Sequence, residues 1–463
     1  MPRYAKNWGH SAMASEWRLR TVEEIKGPEP NALATGPFGS AISSKHFSSH
    51  GCPVIRGSNL SQNISLRLID DGLVFVSEAK AKDFRRSIAR RGDLIFTCWG
   101  TIDQVGFIDE RSQYSEYVIS NKQMKFTPDA SQASGLFLYY LFSSPVMRSK
   151  ILSLGIGSSV PGFNLGQFRK LPLSLPPLRE QQEIARILGL LDDRIELTQR
   201  TNASLEAIAQ AIFQSWFVGF DPVRAKAEGR EPEGMDAATA ALFPCDLVES
   251  ELGPIPEYWR CGSLADLMEM QGGTQPPAST FVDEPREGYV RLLQIRDYAT
   301  DAHATYIPYT KNLRIVTAED VLIGRYGSGS GDAKKDSMGR YLRGLDGAIN
   351  VAIVKAIPKK MIYREWIATF VESGMFYRAI VGGSARAVQA GFRQDDLARI
   401  RLALPKDEII ERFDGIARTV WKEREQNARQ ATTLSSIRDT LLPRLISGKL
   451  RMPEAEKMVE AVL

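Results

Sequence analysis

The chain has 463 residues, 43% of them hydrophobic and 25% charged, with a formal net charge of +4. That length exceeds what one ordinary core organises, so two or three domains are expected, and the composition is that of a soluble globular protein. No apolar run reaches the roughly 18–20 residues needed to cross a bilayer, and the first residues lack the apolar stretch of a secretory leader, so a cytoplasmic location without membrane association is expected.

The four cysteines (Cys52, Cys98, Cys245, Cys261) lie far apart and form no CxxC pair, which argues against a disulfide framework or a zinc ribbon. The slight positive charge permits a nucleic-acid partner without requiring one.

In chain order, a tail (1–15) precedes a mixed region (16–175). There the short apolar runs "LVFV", "DLIFT" and "VGFI" read as strands, and "SGLFLYYLFSSPVMRSKIL" reads as one helix. Residues 176–219 follow with apolar positions three and four apart, a helical stripe facing a partner helix. A connection rich in Pro, Gly and charge (220–255), with a short helix around "MDAATAALF", leads to a second mixed region (256–404). Its strands are "YVRLLQI", "DVLIG" and "NVAIV", and its helix is "YREWIATFVESGMFYRAIV". A second long helical segment (405–447) and a tail (448–463) complete the chain.

The second half repeats the first. With Gly162-Phe163 placed on Gly391-Phe392, the register holds without a gap through Pro176 on Pro405, Ile187 on Ile416, Leu205 on Leu434 and Gly219 on Gly448. Upstream, "GDLIFTCWG" answers "EDVLIGRYG" and "SEWRLRTVEEI" answers "EYWRCGSLADL".

The expected fold class is therefore α+β: two repeated mixed domains joined by a pair of long antiparallel coiled-coil helices with approximate two-fold symmetry. Helices of about 40 residues would reach about 60 Å. The expected seam consists of Leu188, Leu191, Ile195, Asn202, Leu205, Ile212 and Trp216 on one helix and Val420, Asn427, Leu434, Leu441 and Leu445 on the other. Asn202 and Asn427, together with Thr198 and Arg424, weaken the apolar stripe and either fix register or merely interrupt the core.

Two similar readers held apart by a spacer suit a split DNA target. The motifs "LPLSLPPLREQQEIARILGLLDDRIE", "IFQSWFVGFDPVRAKAEGREPEG" and "TGPFGSAI", with the duplication itself, make the chain resemble the specificity subunit of type I restriction-modification systems from about Ser15 to Leu450. The resemblance implies that each mixed region is a target recognition domain and that the chain is not itself an enzyme. It implies double-stranded DNA and two methyltransferase subunits as partners, to which restriction subunits can add. No cofactor is implied for this chain; S-adenosylmethionine, ATP and magnesium belong to those partners. In agreement, the sequence has no NPPY-like tetrapeptide, FxGxG loop or GxxxxGK[ST] phosphate loop. The face carrying Arg179, Glu180, Gln181 and Glu183 reads either as an ordinary helix start or, by the resemblance, as part of a methyltransferase contact.

In that family the strand matching "DLIFT" enters a loop resembling R-x-G-x-x-G-K. The second copy keeps Arg325-Tyr326-Gly327 and offers Lys334 and Lys335; the first departs, with Cys98 at the arginine position, Trp99 next and Gln104 near the lysine position. That departure removes the basis for a phosphate role of this loop in the first copy. Base reading needs side-chain donors and acceptors on loops. The candidates for DNA contact are therefore Lys45, His46, Arg56, Ser58, Asn59, Trp99 and Gln104 in the first copy, and Gln294, Arg296, Arg325, Tyr326, Lys334, Lys335, Arg340 and Arg343 in the second.

His46, His50 and Cys52 lie close in sequence but lack a fourth ligand, so no metal is expected. Asp70, Asp71, Glu78 and Lys80 loosely match a magnesium nuclease pattern that the second copy lacks. A self-contained nuclease and a coiled-coil adaptor without DNA binding are the alternative functions.

Overall fold

The computed structural model describes residues 17–155, 161–298, 304–327, 336–383 and 390–461. The chain divides into two compact units: residues 1–199 with 429–463, and residues 200–428.

In the first unit, Arg18–Thr21 pairs antiparallel with Pro172–Leu175. The latter strand alternates as its sequence dictates, Leu173 and Leu175 buried, Pro172 and Ser174 exposed. Pro176-Pro177 then stops the ladder, and the long helix Leu178–Gln214 begins. A four-stranded antiparallel sheet runs in the order Leu33–Thr35, Gln123–Phe126, Leu94–Thr97, Val105–Phe107. A five-stranded sheet runs Phe47–Ser48, Val74–Val76, Cys52–Ile55, Glu116–Ile119, Ile88–Arg90, and its only parallel pairing joins Cys52–Ile55 to Glu116–Ile119.

The helical stretch after these sheets is two helices, Gly135–Ser143 and Pro145–Ser153, rather than the single one expected from sequence. Pro145 cannot continue the first helix, and Ser144 caps the second by accepting from the Met147 N–H. In the second unit, Arg364–Glu372 and Met375–Gly383 are likewise separate, parted by Gly374 at φ 75°.

The second unit repeats the strand order. Arg260–Ser263 pairs with Arg401–Leu404, and a four-stranded sheet runs Met268–Gly272, Ile353–Pro358, Leu322–Gly324, Tyr341–Leu342. Another runs Thr305–Pro308, Tyr289–Leu293, Gly347–Ile349, Ile315–Val316, again with one parallel pairing, Tyr289–Leu293 with Gly347–Ile349. The short helix Ala237–Ala241 and the hairpin Leu247–Ser250 with Gly253–Pro256 lie in the connection.

The second long helix spans Asp407–Leu445. Each long helix contributes to both cores. In the first unit Leu188, Leu191, Ile195, Leu434, Leu441 and Leu445 are buried together with the aromatic cluster Phe96, Phe137, Phe142 and Phe168. In the second unit Phe213, Trp216 and Phe413 pack with Trp366 and Phe370. Trp216 lies past the α-helix, in the single π-turn Ser215–Gly219. Leu205 and Ile212 are half-buried, and Val420 lines a groove with Ala238, Leu242 and Ile416.

Buried and half-buried polar groups fix the helices to one another within each unit. Asp192, fully buried, accepts from Tyr140 Oη at 2.5 Å and from Arg438 at 2.7 Å. In the second unit Arg424 pairs with Glu372 and Glu206, Asn427 Nδ2 donates to Asn202 Oδ1 at 2.9 Å, and Asn202 Nδ2 donates to the Arg424 carbonyl at 2.9 Å.

Candidate nucleic-acid interface

The first unit's site begins where the strand Cys52–Ile55 ends. Arg56 opens a 3-10 turn whose closing residue, Asn59, is buried. Its Oδ1 accepts from the Arg56 N–H at 3.0 Å and its Nδ2 donates to the Ile69 carbonyl at 2.9 Å. Asn59 is thus the clasp of the turn rather than the DNA contact expected from sequence; both ends of its amide are consumed by backbone.

The clasp leaves Arg56 and Ser58 lining a cleft of about 480 Å³ with Trp99, Thr101, Asn121 and Lys122. Trp99 follows the strand Leu94–Thr97 and is 48% exposed, unusual for an indole. Its ring lies against Gly162, to which it is joined by an isolated β-bridge. Gln104 lines the cleft too, but its side chain accepts from Thr97 Oγ1 and donates to the Leu60 carbonyl, so it serves the cleft floor. Lys45 and His46 are exposed on the turn Ser44–His46 and lie outside the cleft lining. The Cys98 thiol, buried beneath the cleft and donating to the Lys122 carbonyl at 3.1 Å, is pushed up to about 11 by burial and is neutral.

The second unit builds the same kind of corner. Tyr289–Leu293 ends at Gln294, whose N–H donates to buried Asp297 at 2.7 Å, the counterpart of the Asn59 clasp. Gln294 and Arg296 therefore occupy the places of Arg56 and Ser58. The Gln294 amide and the Arg296 guanidinium both reach Thr305 Oγ1, at 3.4 and 3.5 Å. Tyr326 is 45% exposed with its ring against Gly391, and the Arg325 guanidinium carbon stands 5.3 Å from that ring. Arg340 is half-buried, its carbonyl accepting from Gly324 N–H. Lys334 and Lys335 lie outside the described residues.

Arg343 is not at this surface. Its side chain is 2% exposed, bonded to both Glu365 oxygens at 2.7 and 3.0 Å, and its guanidinium sits 3.7 Å from the centre of the Trp421 ring. It forms a structural ion pair with Glu365 and is not the DNA contact expected from sequence.

Asp70 and Lys80 of the loose nuclease pattern have other occupations. Asp70 accepts from Tyr117 Oη at 2.7 Å and from the Gln113 N–H at 2.9 Å, while Lys80 pairs with Asp83. Among the described residues no cluster of three or more His, Cys, Asp and Glu is placed to hold a metal ion. At the entry to the first long helix, Gln181 turns inward and joins the Ser134 N–H to the Pro176 carbonyl, while Arg179 faces outward.

Sequence reasoning missed Lys122, Asn121 and Thr101 in the first cleft. Lys122 enters because the strand Glu116–Ile119 runs parallel to Cys52–Ile55, and no local pattern announces that pairing.

A family profile for the type I restriction modification DNA specificity domain matches residues 39–207, the stretch that holds the first cleft. The type I restriction enzyme HindI specificity subunit of Haemophilus influenzae is 25% identical, over 74% of this chain and 83% of that protein. The chain is thus similar to type I restriction-modification specificity subunits, and residues 39–207 match their DNA specificity domain. The MjaIX specificity subunit of Methanocaldococcus jannaschii is 22% identical, over 69% of each chain. In fold, the chain resembles the crystal structure of the type I restriction-modification S subunit from M. genitalium, with a TM-score of 0.55 at 12% identity, covering 93% of this chain and 96% of that one. Among the described residues, no helix is long and apolar enough to cross a membrane.

Proposed function

We propose that this chain is the DNA sequence-specificity subunit of a type I restriction-modification enzyme, and that each unit reads one half of a split duplex target. The observation that carries this is the recurrence, in both units, of two features: an exposed aromatic ring seated on glycine, Trp99 and Tyr326, and a two-residue polar corner after a strand, Arg56 with Ser58 and Gln294 with Arg296; in the first unit ring and corner line one cleft. Arginine and glutamine suit guanine and adenine edges in a major groove, and cations hold phosphates.

In this reading the chain contributes binding energy and register, not bond-breaking. Two methyltransferase subunits dock on it, each placed over an adenine that is flipped for methylation, and restriction subunits join that core. S-adenosylmethionine, ATP and magnesium act in the partner subunits. The paired long helices, related by approximate two-fold symmetry, set the distance between half-sites.

The test is methylation mapping of host DNA by single-molecule sequencing, with this chain co-expressed with its methyltransferase subunit. A two-part motif is expected. Exchanging residues 16–175 for those of a relative should change one half of it; a motif changed in both halves, or no motif, overturns the reading.

A further inference from the structure

The first unit lacks an arginine ahead of its exposed aromatic, yet its cleft is not without charge. The lining includes Arg56 and Lys122 and, among the described residues, no carboxylate. Such a surface attracts an anion and offers nothing to repel it.

The position of Lys122 becomes meaningful through its backbone. Its carbonyl accepts from the Cys98 N–H at 2.8 Å. In the second unit the corresponding bond joins the Arg325 N–H to the Ala352 carbonyl, also at 2.8 Å. Cys98 precedes Trp99 as Arg325 precedes Tyr326, and Lys122 follows the strand Glu116–Ile119 as Ala352 follows Gly347–Ile349. One hydrogen-bonded backbone pair is thus Cys/Lys in the first unit and Arg/Ala in the second. Each unit carries one cation at this pair, from opposite members. Cys98 is buried and its thiol neutral, whereas Lys122 is exposed and lines the cleft together with Trp99.

We propose that Lys122 is the phosphate-holding residue of the first unit, supplying from the returning segment the charge that Arg325 supplies from the strand end in the second. This rests on the DNA-reading function above. The ligand is a phosphodiester oxygen of duplex DNA. A lysine ammonium is a compact point charge that can hold such an oxygen without reading a base, so its contribution is to position the first unit and not to choose its sequence.

The experiment measures equilibrium binding of the full chain, assembled with its methyltransferase subunit, to a duplex carrying the mapped target across a salt series. Lys122→Ala should weaken binding by about tenfold at moderate salt and lower the slope of log K against log salt by about one, equally for target and scrambled duplexes. Lys122→Arg should keep both. Because Lys122 is exposed, circular dichroism should show the Ala variant folded. In the second unit, Arg325→Cys should lower the slope by about one, and adding Ala352→Lys should restore it. Wild-type slope and affinity in Lys122→Ala, or a double variant no better than Arg325→Cys, overturn the proposal. A wild-type complex that does not distinguish target from scrambled duplex would instead sink the DNA-reading function itself.

Discussion

The indole of Trp99 rests on the backbone of Gly162: a Cβ at residue 162 would stand 2.3 Å from Cε3 of the ring, closer than two non-bonded carbons can come. Tyr326 and Gly391 stand in the same relation, the nearest ring carbons 2.5 Å from such a Cβ. Glycine is required here for close approach, and the approach holds a half-exposed ring in one orientation.

Gly162→Ala should therefore push the ring from its seat. The expected result is a loss of target affinity of ~1–3 kcal/mol, the scale of one misplaced base contact. Discrimination should fall at the half-site read by the first unit, and Gly391→Ala should do the same for the other half. Binding titrations against duplexes altered in one half at a time check this; equal loss at both halves for either variant would contradict it.

Asp192 and Arg438 give a second test. Their side chains are 0% and 5% exposed, and the carboxylate also accepts from Tyr140 Oη and lies 3.3 Å from Ser65 Oγ. Removing one member strands a buried charge, so Arg438→Met should destabilise the chain by about 3–5 kcal/mol. Asp192→Leu combined with Arg438→Met should recover much of that loss, because both charges then leave the interior together. Urea unfolding of the two variants measures the difference.

These two relationships mark where sequence reasoning stops. The strands and long helices were legible because period-two and three-four patterns are local, as in Pro172–Leu175 and in Leu188, Leu191 and Ile195. Arg56, Ser58 and Trp99 were legible as polar or aromatic residues just beyond strands. Asn59 and Arg343 were misread for one physical reason: a polar side chain looks the same in sequence whether it meets solvent or a buried partner. The partners of Asn59 are a turn amide and a carbonyl ten residues on, and that of Arg343 is Glu365 on a later helix. Lys122 was invisible because only the parallel pairing of Val54 with Val118 brings its segment to the cleft.

Cys98 predicts a pH dependence. Burial raises its thiol from an ordinary 9.0 to about 11 in the folded chain, so the folded state holds its proton more tightly than the unfolded state. The corresponding stabilisation is complete below pH 9 and is lost as pH rises through 11, with a slope of at most about 1.4 kcal/mol per unit for one thiol. Urea midpoints should fall across that window, and less steeply in Cys98→Ser. A thiol reagent at pH 8 should label exposed Cys245 well before Cys98.

The last prediction concerns the pair of asparagines between the long helices of the second unit. Asn427 Nδ2 donates to Asn202 Oδ1, and Asn202 Nδ2 donates to the Arg424 carbonyl, so the two amides dictate which turn of one helix faces which turn of the other. Asn427→Leu alone leaves Asn202 Oδ1 without this donor and should cost about 1 kcal/mol. Replacing both by leucine removes the demand and adds apolar contact at half-buried positions. The double variant should melt roughly 2–4 °C higher than the native chain, the shift expected for about 1 kcal/mol in a protein of this kind. It should also lose the register that a polar pair enforces and leucine does not. Methylation of targets whose half-sites are one base pair closer or farther apart should then rise in the double variant. If it gains stability while keeping the native spacing preference, register is set by the surrounding ion pairs of Arg424 with Glu206 and Glu372, and the asparagines are dispensable.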